Sequence, residues 1–249
     1  MSSEEMWASA ATRSRTIVAN ARHCWQSLDD TQAGLLVIVA VGVLIGLVFG
    51  IWPQLDLKVS ALFYDGARQD WPLTRAPTVL ALRSFNEFIT RAIVAMAIIA
   101  LIFAAVGGRT FAFMPPRVAL FLLAALVLGP GLIVNGILKA HWSRPRPVEV
   151  TAFGGPLDFV PWWSPLGSCA RNCSFVSGEV ASAFCLLAVA LVLPQRYRRG
   201  AVVGVIVYGL AIGLMRVVMG GHFLSDALFA GVFTALVIWL LHRVMFPAR

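Results

Sequence analysis

Six stretches of this chain are each apolar for roughly the 20 residues that a helix needs to cross a hydrocarbon layer of about 30 Å. They cover 33–52, 88–106, 118–138, 175–193, 201–219 and 223–246. Inside lipid every backbone N–H and C=O must find its partner within the protein, and a helix supplies all of them locally. The sequence therefore predicts an all-α fold: a polytopic membrane bundle of six transmembrane helices, with an interfacial helical loop after the first. Composition agrees, at 59% hydrophobic and 13% charged residues and a mean hydropathy of +0.81. A soluble domain of this size could not bury so much apolar surface.

Residues 1–32 read as a polar cytoplasmic tail and 33–249 as one membrane domain, with no internal repeat. The first apolar run follows Arg13, Arg15 and Arg22, as a secretory signal would. It is longer than a signal core, and "VFGIWPQLDL" behind it offers no small-residue cleavage site, so a retained anchor is expected. Six spans put both termini on one side. Placing them in the cytoplasm gives that side the tail arginines, Arg109, Arg117, the "RYRR" cluster, Arg243 and Arg249. The short loops favour this orientation, although Lys and Arg totals on the two sides are close.

The net charge of +8 raises the question of nucleic acid. Its basic residues are scattered between apolar runs with no basic stripe or RNA-binding motif, which excludes a nucleic-acid partner and points to membrane topology. Between the first two spans, Leu55, Val59, Leu62 and Phe63 recur at helical spacing with Asp56, Lys58 and Ser60 elsewhere on the wheel, as in a short helix lying in the interface. Tyr64 and Trp71 suit the same headgroup zone, and Trp162 and Trp163 suit either that zone or a cover over a pocket. Pro130, between two glycines in "LGPGL", should loosen the third span. Cys169 and Cys173 can close a small disulfide if their loop faces an oxidising compartment.

Three polar clusters lie at span ends that fall on the same face of the membrane: "KAHWSRPRP" from Lys139, "CSFVSGE" from Cys173, and "MRVVMGGHFLSD" from Met215. Ionisable groups at such positions are costly and usually functional. His222 and Asp226 stand four apart at a helix start, so the carboxylate can hold one imidazole nitrogen and leave the other as a nucleophile. Lys139, Arg146 and Arg216 are fixed cations suited to phosphate oxygens. Ser177 and Gly178 open the fourth helix, where a hydroxyl and free amides can face an anion. Taken singly, each element has a plainer structural explanation. Their convergence describes a phosphate cradle with a histidine aimed into it.

The order K-x6-R-P, S-G, R-x5-H-x3-D resembles the three-part signature of the type 2 phosphatidic acid phosphatase superfamily, on Lys139, Arg146 and Pro147, then Ser177 and Gly178, then Arg216, His222 and Asp226. That resemblance implies a phosphatase of lipid phosphomonoesters in which His222 becomes a phosphohistidine and Asp226 orients it. Lys139, Arg146, Arg216, Ser177 and the amide of Gly178 would then stabilise the transferring phosphoryl group without a metal or other cofactor. Three positions, in two of the motifs, depart from the family pattern. Val176 and Glu179 stand where it has a proline and the proton-donating histidine, and Met215 stands where it commonly has a serine. Glu179 is the candidate general acid, with His141 as a substitute.

"LDLKVSALFYDG" and "CSFVSGE" are similar to a bacterial subgroup containing lipid A 4′-phosphatases, which implies an inner-membrane enzyme facing the periplasm. A polyprenyl pyrophosphatase, whose leaving group needs less acid help, and an inert phospholipid binder are the alternatives. A phosphorylated lipid and the bilayer are the expected partners; oligomeric state is not legible.

Overall fold

The computed structural model describes residues 30–107, 110–111 and 113–247, with side chains from residue 32 onward. The expected tail, apart from its last three residues, lies outside them, as do Arg109 and Arg249. The described elements are helical, in the order α1 (Asp30–Ile51), α2 (Gln54–Ala61), α3 (Pro77–Gly107), α4 (Pro116–Leu126), α5 (Gly178–Phe184), α6 (Leu186–Val192), α7 (Gln195–Val218) and α8 (Leu224–Met245). Beyond Leu126, α4 continues as a π-helix over Val127–Leu138 and closes with Lys139–His141.

Five of these helices are long and apolar enough to cross a membrane: α1, α3, α4 with its continuation, α7 and α8. The expected fourth span is shorter than the sequence suggests. Its apolar helix covers Gly178–Val192, a rise of only about 22 Å at 1.5 Å per residue, and it is parted at Cys185. Residues 175–177 are spent on the approach to the first turn, and Leu193 is already extended before Pro194, as a pre-proline residue prefers. A short helix is tolerated there because it packs within the bundle, against α3, α4, α7 and α8. The six-span expectation thus becomes five membrane-length helices and one shorter, interrupted helix packed among four of them.

Close approach of the backbones holds this inner helix in place. Phe184 of α5 presses so tightly on Gly209 of α7 and Gly231 of α8 that a Cβ at either glycine would collide with its ring. Small residues of this kind let membrane helices pack where no hydrophobic force distinguishes protein from lipid. In α4, Pro130 leaves the ladder without a donor; the chain widens into the π-helix, and the Asn135 side-chain amide donates to the Pro130 carbonyl at 2.7 Å.

The short helix expected after the first span is present as α2, with Leu55 and Val59 half-buried. Asp56 and Ser60 are buried while Leu62 is largely exposed. The cause is an ionic partner inside the protein: Asp56 pairs with Arg144 at 2.7 Å. Tyr64 and Trp71 form an aromatic cluster with Phe153, with ring centroids 5.2–5.4 Å apart. Trp162 lies against Phe229 at 4.4 Å and Phe175 at 6.3 Å, within the bundle, whereas Trp163 is partly exposed.

Candidate active site

The α7–α8 connection turns on Gly220, whose φ of 63° is one that side-chain-bearing residues rarely adopt. It delivers His222 into a buried position. Nδ1 of His222 lies 2.7 Å from the Ser174 carbonyl oxygen, and Asp226 Oδ2 is 3.9 Å away. Asp226 is therefore not the direct holder of the ring that the four-residue spacing suggested. Its oxygens are already committed to Arg144, to the Ser174 hydroxyl and to the Phe223 backbone N–H at 2.9 Å. A backbone carbonyl can only accept, so Nδ1 carries the proton and Nε2 keeps the lone pair. Burial pushes the imidazole well below the ordinary histidine value, and Arg216, Lys139 and Arg146 push the same way against the Ser174 hydrogen bond. The ring is therefore uncharged at neutral pH.

Lys139, Gly178 and Arg216 arrive from three helix ends, and Arg146 from the loop after Lys139–His141. A Cβ on Gly178 would meet Asn135 Oδ1 at 3.2 Å and Lys139 Nζ at 3.6 Å, so the first two sequence clusters touch at this glycine. Ser177 caps α5, its hydroxyl accepting the Val180 N–H at 3.5 Å. Arg146 Nε and Nη2 donate to the Asn172 carbonyl at 3.0 and 2.7 Å, and Lys139 Nζ donates to Asn172 Oδ1 at 3.3 Å. Asn172 adopts a left-handed φ of 51° inside the loop closed by a Cys169–Cys173 disulfide. Arg216 folds back over the turn, where a Cβ on Gly221 would strike its guanidinium. Glu179 Oε1 forms ion pairs with Arg83 Nη2 and Arg216 Nη1, both at 3.1 Å.

Several of these residues escaped sequence reading. Arg144 is fully buried and joins Asp56, Asp226 and the Ser225 hydroxyl, the last at 2.8 Å, while its Nε donates to the Val160 carbonyl at 2.8 Å. Arg83, between the first two predicted spans, has no sequence signal beyond its charge. The one signal for Arg144 was its place in "SRPRP", two residues before Arg146. His141, the candidate substitute donor, sits 2.8 Å from the Ile137 carbonyl of its own helix.

The site thus brings together an uncharged histidine, three cations and the start of an inner helix, the constellation of a phosphoryl-transfer centre at a membrane rim. The family model of the PAP2 superfamily matches residues 118–249, and this chain belongs to that superfamily, as a multi-pass membrane phosphatase acting on phosphoric monoesters. Among curated relatives, a lipid A 4′-phosphatase of Francisella tularensis subsp. novicida is 32% identical over 204 residues, covering 81% of this chain and 90% of the relative. A lipid A 4′-phosphatase of Rhizobium etli is 44% identical over 126 residues, covering 51% of this chain and 46% of the relative. One of Rhizobium leguminosarum is 32% identical over 219 residues, covering 81% and 88%. No solved structure gives a significant match.

Proposed function

We propose that this protein removes a phosphate from lipid A, or from a closely related phospholipid, at the periplasmic face of a bacterial inner membrane, through a phosphohistidine on His222. The observation that carries the mechanism is the Ser174 carbonyl on Nδ1, which leaves Nε2 as the attacking nitrogen beside Lys139, Arg146 and Arg216. Nε2 bonds to phosphorus as the ester P–O bond breaks, and the departing alcohol oxygen takes up a proton. Water then attacks the phosphorus, the P–N bond breaks, and phosphate leaves with the imidazole restored. The three cations, Ser177 and the Gly178 amide offset charge on the transferring group. Asp226 acts at one remove, fixing Ser174 through its hydroxyl. The relatives' names support lipid A as substrate. The positive-inside pattern and a disulfide at the site's end of the bundle support the periplasmic orientation.

Mass spectrometry of lipid A from cells with and without the expressed protein should show a species lighter by one phosphate, absent when His222→Ala is expressed. Unchanged lipid A in both would overturn the substrate assignment; phosphate release by His222→Ala would overturn the nucleophile. Hydrolysis of a polyprenyl pyrophosphate is the second reading, favoured by Glu179 standing in for the family's proton-donating histidine. Faster turnover of that substrate than of lipid A by the purified protein would select it.

A further inference from the structure

Glu179 occupies the place of a proton donor but is built into something else. Its Oε1 lies 3.1 Å from both Arg83 and Arg216, and its Oε2 is buried without a hydrogen-bond partner among the described residues. A general acid must carry a proton and present it to the leaving oxygen. Here one oxygen is taken by two guanidiniums and the other is closed to solvent. Arg216 in turn has little else to orient it: its Nε is buried and unpaired, and Nη1 otherwise reaches only the Met219 sulfur at 3.9 Å. Among the described residues, Glu179 is the carboxylate that sets the direction of Arg216.

Arg83 is held to this task by its own helix. One turn further along α3, buried Asn86 donates to the Glu179 carbonyl at 3.1 Å and to the Ser182 hydroxyl at 3.2 Å, and accepts from Tyr208 of α7 at 3.0 Å. That tie fixes the register of α3 against α5 and α7, and so brings Arg83 to Glu179. Arg83 Nε is buried, with Glu87 at 3.7 Å beyond hydrogen-bond reach. Arg83 also lies ahead of the segment that the family model matches.

Resting on the phosphatase reading of the same site, we propose that Arg83 and Glu179 are positioning residues that clamp Arg216 onto the phosphoryl group, Glu179 acting through that guanidinium and not as the proton donor. The departing oxygen then takes its proton from water, and the hydroxide formed is consumed when the phosphohistidine is hydrolysed.

The test uses the full chain purified in detergent, with two substrates: a lipid phosphomonoester with a poor alcohol leaving group, and p-nitrophenyl phosphate with a good one. Glu179→Gln should lower kcat/KM by about 10- to 100-fold, as small misplacements of a catalytic group do, and by the same factor for both substrates. The inhibition constant of inorganic phosphate should rise in parallel. Arg83→Ala should behave likewise, Arg83→Lys should recover most of the loss, and Arg83→Ala with Glu179→Gln should be no worse than the more severe single variant. Should Glu179→Gln fail to accumulate, the Arg83→Ala and Arg83→Lys pair decides through phosphate inhibition alone.

Slowing confined to the poor leaving group, unchanged phosphate inhibition, or fully additive losses would overturn the clamp. His222→Ala, run alongside, separates the two claims. If it is inactive while Glu179→Gln shows leaving-group dependence, only the clamp fails; if it retains turnover, the phosphatase mechanism fails with it.

Discussion

In one ion cluster a single guanidinium, Arg144, lies between the carboxylates of Asp56 and Asp226. In another a single carboxylate, Glu179, lies between the guanidiniums of Arg83 and Arg216. The first cluster is sealed, with side-chain exposures of 0–1%. It is also fully engaged: the Ser225 N–H and hydroxyl donate to Asp56 at 2.9 and 2.6 Å, and the Phe223 ring lies 4.5 Å under Arg144. The second is partly open, with exposures of 41% at Arg83, 22% at Glu179 and 8% at Arg216, and each of its three members has a buried polar atom lacking a hydrogen bond among the described residues. A saturated cluster cannot respond to a ligand without breaking. An unsaturated one can change partners when a phosphoryl group arrives. The first is scaffold for the loop that holds the histidine, and the second, under the clamp proposed above, is part of the apparatus that meets the substrate.

The sharpest way to break that contrast is Arg144→Ala. It leaves two buried carboxylates without their counter-charge, a loss of about 3–5 kcal/mol. The expected result is a steep fall in the detergent thermal midpoint and in the yield of folded protein; a folded, active Arg144→Ala would remove the scaffold assignment. Asp56→Asn keeps the shape but loses the charge-assisted bonds, and should cost about 1.5–3 kcal/mol in the same measurement. Equal loss of stability in Glu179→Gln would erase the distinction between the clusters.

His222 supplies a pH test. Because its proton affinity is depressed, kcat/KM should hold as pH falls through about 6.5, the ordinary histidine range, and decline only further into acid, where Nε2 is protonated. The unfolded chain takes up this proton first, so the same group destabilises the fold as pH drops below that range. Arg216→Gln removes one of the cations that depress His222 and should move the acid limb of the residual activity upward; an unmoved limb would deny Arg216 its place beside the ring. At the small end, Arg91→Ala breaks only an exposed pair with Glu87 at 2.9 Å. It should change stability by no more than about 0.5 kcal/mol and leave the rate of phosphate release as it is.

The bundle was legible because the bilayer imposes a length and a composition on anything that crosses it. The predicted runs at 33–52 and 223–246 differ from α1 and α8 by at most three residues at either end. The fourth run misled because apolar residues inside a protein look the same in sequence as those facing lipid. In the site, cations and the histidine could be read from spacing since helix ends bring them together. Asp56 and Arg144 could not, being 88 positions apart and meeting only after the chain has folded. The Ser174 carbonyl on His222 has no side-chain signature at all, which is why the nearby Asp226 seemed the natural partner.

Deep below the reacting groups, the ring of Phe184 rests on two positions that carry only hydrogen. Arg216 lies about two turns beyond Gly209 on one of the rods so clasped, and Asp226 lies just above Gly231 on the other. The mouth of the cleft is thus gauged from its fulcrum: a single methyl at either glycine would lever the rods apart and misfit the cradle, without touching any atom that takes part in the chemistry.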